Sequence, residues 1–161
     1  AVNENVQGSC LAATIANGGK LMRPQIWSKV KDPDGRTLKT MDPEVQSDVI
    51  SSDTADELTE AMKDVVNEGT GTAAALSGVD VAGKTGTAQD MQSNGITASF
   101  IGVVPADAPR LVVGVFVHNP KTDIYGGTIA APVFSDVAGF ALSELGVAPS
   151  GTKASLFPTT W

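Results

Sequence analysis

The chain has 161 residues, of which 42% are hydrophobic and 18% are charged, a composition typical of one globular domain. Its formal net charge of -7 excludes nucleic acid as a partner, because that binding depends on basic residues that neutralise phosphates. A single cysteine and a single histidine exclude an internal disulfide and a structural zinc site, and we predict neither a metal nor a cofactor.

The first third of the chain predicts one helix and one separate hairpin. Apolar residues at helical spacing predict a helix over residues 8–17, which Asn17-Gly18-Gly19 ends, because glycine adopts the left-handed cap. An extended lead-in follows over residues 20–24. The turn residues Asp32-Pro33-Asp34-Gly35 then predict a β-hairpin over residues 25–39, which must pack on other elements, since two strands alone are marginally stable.

The clearest helix is predicted over residues 53–68. Its start carries capping residues, Ser52 or Asp53, and Gly69 ends it. One stripe of this helix is apolar at the spacing of a helix face. Its members are Leu58, Met62, Val65 and Val66. The segment Gly69-Thr70-Gly71-Thr72 follows as a loop.

Three strands and a last helix are predicted next. Residues 79–87, 96–104 and 111–117 follow the period of strands, and the last two are so apolar that their sheet should be covered on both faces. A helix is predicted over residues 131–145, with Pro132 near its first turn. The apolar side chains expected to share its buried face are Val133, Phe134, Val137, Phe140, Ala141 and Leu145.

These elements predict an α+β fold with an antiparallel sheet of at least three strands, plus the separate hairpin, covered by helices. Residues 1–146 are expected to form the folded part. Residues 147–161 are expected to form a flexible tail.

Residues 83–87, Gly-Lys-Thr-Gly-Thr, are the stretch that indicates chemistry. A strand with this sequence offers an acyl substrate the Lys84 ammonium, two hydroxyls from Thr85 and Thr87, and an edge N–H for an oxyanion. Gly86 allows a ligand backbone to approach closely.

Residues 78–85 also satisfy G-x-x-x-x-G-K-[ST], the pattern of a phosphate-binding loop. That loop must follow a strand and open a helix, whereas Val79-Asp80-Val81-Ala82 is itself typical of a strand. The sequence alone leaves two further alternatives open: this nucleotide site, and an interaction module in which the lysine is incidental.

Several blocks in order make the chain resemble the transpeptidase domain of penicillin-binding proteins. Residues 81–89 resemble the Lys-Thr-Gly strand of that family, and residues 15–24, 65–73, 100–105 and 125–134 are similar to the segments that flank it. The resemblance covers about residues 7–145 and is nearest to the high-molecular-weight synthases. It implies a partial fold of the penicillin-binding and serine β-lactamase type.

The resemblance also implies roles for single residues. Lys84 would be the motif lysine, Thr85 and Thr87 would bind the substrate carboxylate, the Thr87 N–H would face the oxyanion, and Gly86 would allow close approach. The ligands implied are D-Ala-D-Ala stem peptides and β-lactams, at the extracytoplasmic face of a bacterial membrane. A β-lactam sensor or hydrolase that shares this strand is the related alternative.

Two motifs of the family are not found where the resemblance would place them. The serine of S-x-x-K and the S-x-N motif belong upstream of Gln7-Gly8, and no S-x-N occurs in the sequence. The S-x-x-K string at residues 150–153 lies after the last predicted helix, and we interpret it as chance. We therefore expect this chain to be inactive alone and to need the preceding part of the same domain as a partner. Its exposed sheet edge should either pair with copies of the chain or be covered by another segment.

Overall fold

The computed structural model describes residues 4–90 and 95–150. This part of the chain holds helices, strands and a short 3-10 turn, which follow one another in this order: α1 (Glu4–Ala16), β1 (Lys20–Met22), β2 (Lys29–Lys31), β3 (Thr37–Thr40), β4 (Val45–Asp48), α2 (Ser52–Asn67), the turn Thr72–Ala74, β5 (Ala82–Asp90), β6 (Gly95–Val104), β7 (Leu111–His118) and α3 (Gly126–Glu144). None of the helices in the described ranges is long and apolar enough to cross a membrane.

The central sheet has the strand order β5-β6-β7, and both pairs are antiparallel. The predicted α+β class and the antiparallel sheet are confirmed. Strands β2 and β3 form the predicted separate hairpin around the turn at Gly35, which has a φ of 83°. Strand β4 was not predicted; it pairs with β1, and all four of its residues are exposed.

Helices cover both faces of the central sheet, as its apolar strands predict. On one face, α3 packs the ring of Phe134 edge-on against Phe100 of β6, with the ring centroids 4.8 Å apart. On the other face, Ala12 of α1 and the half-buried Met62 of α2 pack with Val103 of β6. The alternation of β6 assigns Phe100 to one cluster and Val103 to the other.

The predicted buried face of the last helix is wrong. Among the residues assigned to it only Phe134 is fully buried, whereas Val133, Val137, Phe140 and Leu145 are exposed, Phe140 by 69%. The residues that pack on the sheet are mostly small: Ala130, Ala131, Phe134, Ala138 and Leu142. Alanines let the helix approach the sheet closely, so the bulkier stripe faces outward. The helix also starts at Gly126, which puts Pro132 inside it and not in its first turn.

Part of the predicted tail lies within the described residues and is hydrogen-bonded. The Ser150 N–H donates to the Gly78 carbonyl at 2.9 Å, its hydroxyl donates to Asp107 at 2.8 Å, and that oxygen accepts from the Asp80 N–H at 3.0 Å. The rest of the predicted tail, residues 151–161, lies outside the described ranges.

A lysine on α2 adds charge to the same corner of the fold. Lys63 pairs with Glu60 at 3.1 Å and with Asp80 at 3.8 Å. The hydrogen bond to Glu60 is the main cause that raises the pKa of Lys63, and the charges of Glu60, Asp80 and Asp107 add to it against the opposing effect of desolvation.

Candidate functional site

The predicted site residues lie on β5, the edge strand of the central sheet. Lys84 and Thr87 are exposed, and Thr85 and Gly86 are half-buried. Because alternate residues of a strand point to opposite faces, Lys84 lies on the side of α1 and α2, whereas Thr85 pairs with Phe100 on the side of α3. Residues 83–87 thus form the extended edge that their sequence predicts, and they are not sealed in the core.

The Lys84 side chain turns back to the edge of its own strand. Its ammonium Nζ donates to the Thr85 carbonyl oxygen at 2.9 Å and lies 3.5 Å from Thr85 Oγ1. The cation is therefore beside the Thr85 hydroxyl, although the two side chains leave opposite faces of the sheet. This places a positive charge and a hydroxyl where one anionic ligand can meet both.

The two glycines of the motif have packing neighbours of their own. A Cβ at Gly83 would overlap the ring of Phe100, and one at Gly86 would lie 2.5 Å from Ser99 Oγ. Gly83 therefore makes room for Phe100, one of the two fully buried phenylalanines of the core. Gly86 leaves room for the Ser99 hydroxyl on β6.

A cleft with a volume of about 360 Å³ opens beside the threonine face of β5. It is lined by polar side chains and by backbone from three segments: Thr70, Thr72, Thr85, Thr87, Tyr125, Gly126, Gly127 and Thr128. Thr70 Oγ1 lies 2.7 Å from Thr85 Oγ1, and Thr87 Oγ1 donates to the Ile124 carbonyl at 3.5 Å. Thr85 and Thr87, both predicted as ligand-binding residues, therefore share one cleft.

Sequence reasoning missed the residues that close this cleft. Thr70 and Tyr125 belong to loops that lie 15 and 38 residues from Thr85 and Thr87 along the chain, so only the tertiary fold brings them together. The Gly-Thr-Gly-Thr loop and the Tyr-Gly-Gly segment were both visible as blocks, but nothing in their spacing assigned them to the threonine side of the strand.

Two glycines at the start of α3 bring this helix against the site. A Cβ at Gly126 would overlap the Ser99 carbonyl oxygen and lie 2.6 Å from that of Gly86, and one at Gly127 would overlap the carbonyl oxygen of Thr70. The loop just before the helix is ordered by Asp123, which accepts from the Ile124 N–H at 2.6 Å. That bond is the main cause that lowers the pKa of Asp123, and bonds from Thr128 and Tyr125 act in the same direction, against desolvation.

A second cavity, of about 380 Å³, lies on the other face of β5. Its walls are mainly apolar side chains of α1 and α2, including Leu11, Ile15 and Met62, and Lys84 and Gly86 form its edge. The strand thus has a polar cleft on one face and an apolar hollow on the other.

Comparison with known proteins assigns the family. The model of the penicillin binding protein transpeptidase domain matches residues 5–139. The chain belongs to this family. The family relationship expected from the sequence is confirmed, and the α+β fold agrees with that of the solved relatives.

Individual relatives agree with this assignment. The chain is 42% identical over 151 residues to Stage V sporulation protein D of Bacillus subtilis. This match covers 89% of the chain and 23% of the relative. It is 35% identical to the peptidoglycan D,D-transpeptidase PbpA of Mycolicibacterium smegmatis, covering 86% of this chain and 29% of that protein. The chain thus spans about a quarter of the length of these transpeptidase-family relatives.

A solved structure of a penicillin-binding protein has a similar fold. The ceftriaxone acyl-enzyme complex of penicillin-binding protein A from M. tuberculosis superposes with a TM-score of 0.79 at 34% identity, over 86% of this chain and 32% of that one. The phosphate-loop alternative lacks the helix that it requires, since Lys84 and Thr85 lie within strand β5.

Proposed function

We propose that this chain is the C-terminal part of a serine-type D,D-transpeptidase of peptidoglycan synthesis, in which β5 binds the D-Ala-D-Ala end of a stem peptide or a β-lactam. The observation that carries the proposal is the Lys84 ammonium beside the Thr85 hydroxyl on an exposed strand edge. A cation and hydroxyls are the groups that bind a carboxylate by charge-assisted hydrogen bonds. Both ligand classes present such a carboxylate next to the carbonyl that reacts.

The backbone of β5 supports a second role. The Thr85 carbonyl accepts from Lys84 Nζ, so it faces the free edge of the sheet. In an antiparallel strand, alternate residues direct their N–H and C=O groups to the same side. We therefore assign the Thr87 N–H to the free edge, where it would donate to the oxyanion that forms when a serine attacks the substrate carbonyl.

The nucleophile is proposed to come from a part of the parent protein that precedes these residues in the family. Two serines begin S-x-x-K strings, and neither lies on a helix. Ser28 directly precedes strand β2 of the separate hairpin. Ser150 donates to Asp107 and accepts from the Asp80 N–H, so its hydroxyl is held in a structural contact. We expect a fluorescent penicillin to leave this chain unlabelled when it is tested alone. A covalent adduct at Ser150 would contradict this expectation.

The same proposal includes place and partners. The parent would act on the extracytoplasmic face of the bacterial membrane, where peptidoglycan is cross-linked, with the preceding part of the same domain as the obligatory partner of residues 1–146. We propose that this preceding part packs against the apolar cavity beside Lys84 and Gly86 and so brings its serine close to β5.

The decisive measurement is the second-order rate of acylation of the parent protein by benzylpenicillin. Lys84→Met and Thr87→Val should each lower this rate at least tenfold, since a hydrogen bond to a charged group contributes about 1.5–3 kcal/mol. The matched controls are Lys29→Met and Thr37→Val, on the exposed strands of the separate hairpin; both should react like the wild type.

Two results would contradict the assignment. Acylation that is insensitive to both site variants would remove β5 from ligand binding. Rapid release of hydrolysed penicillin, with no cross-linking of stem peptides, would indicate a hydrolase or sensor and not a transpeptidase.

A further inference from the structure

The hydroxyl of Thr85 has two polar neighbours, and their chemistry restricts what its proton can do. Lys84 Nζ lies 3.5 Å from Thr85 Oγ1, and Thr70 Oγ1 lies 2.7 Å from it. An ammonium only donates, whereas a hydroxyl has one proton to donate and two lone pairs to accept with. Thr85 therefore accepts from Lys84, and the direction of its bond with Thr70 decides where its own proton points.

We propose that Thr70 is a positioning residue that makes Thr85 a hydrogen-bond donor to the carboxylate of the ligand. When Thr70 donates, both lone pairs of Thr85 Oγ1 are occupied, one by Lys84 and one by Thr70. The single proton of Thr85 is then free for the ligand, and a carboxylate, which only accepts, is the group that matches it. This inference rests on the proposed function of β5.

Thr70 is held in place by contacts on two sides. The Gly69 N–H donates to the Asp64 carbonyl at 3.0 Å and the Gly71 N–H donates to the Val65 carbonyl at 2.9 Å, so the loop is tied to the end of α2. On its other side, the Thr70 carbonyl oxygen lies against Gly127, where any side chain would overlap it. The hydroxyl is thus carried by a loop held between two helices.

The same helix start also orients Thr85. The Thr85 methyl carbon Cγ2 is on the side of α3, because it lies 3.5 Å from the position that a Cβ of Gly127 would take. With its methyl group on that side, the hydroxyl of Thr85 points to Thr70. A hydroxyl pair at 2.7 Å is at the usual distance of a strong O–H···O bond.

The test uses the parent protein and a pair of ligands, benzylpenicillin and its methyl ester, which lacks the anionic carboxylate. Thr70→Val keeps the shape of the side chain and removes the hydroxyl, and Thr70→Ser keeps the hydroxyl. Thr70→Val should lower the acylation rate with benzylpenicillin roughly three- to tenfold, the effect of one neutral hydrogen bond. With the ester the loss should be below about twofold, and Thr70→Ser should stay within about twofold of the wild type with both ligands.

Three results would overturn the inference. Equal losses with acid and ester would mean that Thr70 only supports the loop. Unchanged rates in Thr70→Val would mean that Thr85 needs no orientation. No acylation of the wild-type parent by benzylpenicillin would remove the proposed function and this inference with it. Thr37→Val again serves as the matched threonine control, and thermal melts of every variant show whether the fold is retained.

Discussion

Gly126, the first residue of α3, lies against the carbonyl oxygen of Ser99 in the middle strand of the sheet. A side chain at this position would overlap that oxygen and come within 2.6 Å of the Gly86 carbonyl oxygen. Both of these neighbours are backbone atoms, which cannot turn away as a flexible side chain can. The glycine therefore sets how closely the start of α3 approaches β5 and its cleft.

We predict that Gly126→Ala destabilises the chain by about 1–3 kcal/mol, the usual cost of adding an atom to a well-packed site. The measurement is the free energy of unfolding in urea. Gly139→Ala is the matched control on the same helix, where the added Cβ would meet only the flexible Leu76 side chain, at 3.4 Å. Since alanine favours a helix interior, that variant should be unchanged or stabilised by up to about 1 kcal/mol. Equal losses in both variants would contradict the role assigned to Gly126.

Ser150 offers a second test, because its hydroxyl joins two segments that are far apart in sequence. It donates to Asp107 in the loop between β6 and β7, and accepts from the Asp80 N–H before β5. Ser150→Ala should lower the free energy of unfolding by about 1–2 kcal/mol, since both bonds are lost and Asp107 loses a donor. The control Ser143→Ala, on an exposed position of α3, should be neutral. A neutral Ser150→Ala would mean that the Ser150 hydroxyl contributes nothing to the stability of this corner.

The sequence predicted those elements that have a strong period. Strands β6 and β7 are long and apolar, and α2 carries an apolar stripe and a glycine stop, so their bounds were correct to within one residue. The capping residue was wrong, since Ser51 and not Ser52 or Asp53 accepts from the Thr54 N–H. Strand β4 was missed because Val45-Gln46-Ser47-Asp48 is mostly polar and exposed throughout, and only its pairing with β1 makes it a strand. Long-range pairing of this kind leaves no local signal.

The site shows the same division between local and long-range information. The extended edge at Lys84 and Thr85 follows from the alternation of their own segment. The contact between the Thr70 and Thr85 hydroxyls, in contrast, depends on the packing of α3 against the loop after α2. This close packing requires glycine at position 127. The face of α3 was assigned wrongly for a related reason: the helix has two apolar stripes, and the choice between them is made by the closer packing of small residues such as Ala131 and Ala138.

Acid should weaken the loop before α3 through Asp123. Its carboxylate accepts from the Ile124 N–H, which lowers the pKa below the ordinary 3.8. A carboxyl group whose pKa is depressed in the folded state contributes stability above its unfolded pKa, and this contribution is lost as the pH falls through the folded pKa. Stability from Asp123 is therefore complete at neutral pH and disappears below pH 3.8.

The measurement compares Asp123→Asn with the wild type by urea unfolding at neutral pH and in acid. The variant should be less stable at neutral pH, and the difference should shrink as the pH falls below 3.8. Asp42→Asn, at an exposed position of the loop before β4, is the control and should follow the wild type at both pH values. A stability difference that is constant with pH would show that the charge of Asp123 is not the stabilising feature.

The outer edge of β7 should make the chain self-associate when it is studied alone. Within the described residues β7 is the last strand of its sheet, and an edge strand presents unpaired backbone groups to other chains. Beside it lies a largely apolar cavity of about 560 Å³ between α1 and β7, to which Val6, Val112 and Phe116 contribute. The preceding part of the transpeptidase domain is the partner that we propose for this edge, and without it a second copy is the available substitute.

Sedimentation velocity tests this prediction directly. The sedimentation coefficient should rise with concentration for the wild-type chain, and Phe116→Lys, which puts a charge beside the edge, should reduce the rise. Charged residues are how natural proteins protect such edges. Val30→Lys on the separate hairpin, where Val30 is 43% exposed, is the matched control and should associate like the wild type. A wild-type chain that stays monomeric over the whole concentration range would show that the β7 edge is already protected, and equal effects of the two lysines would show that association occurs elsewhere.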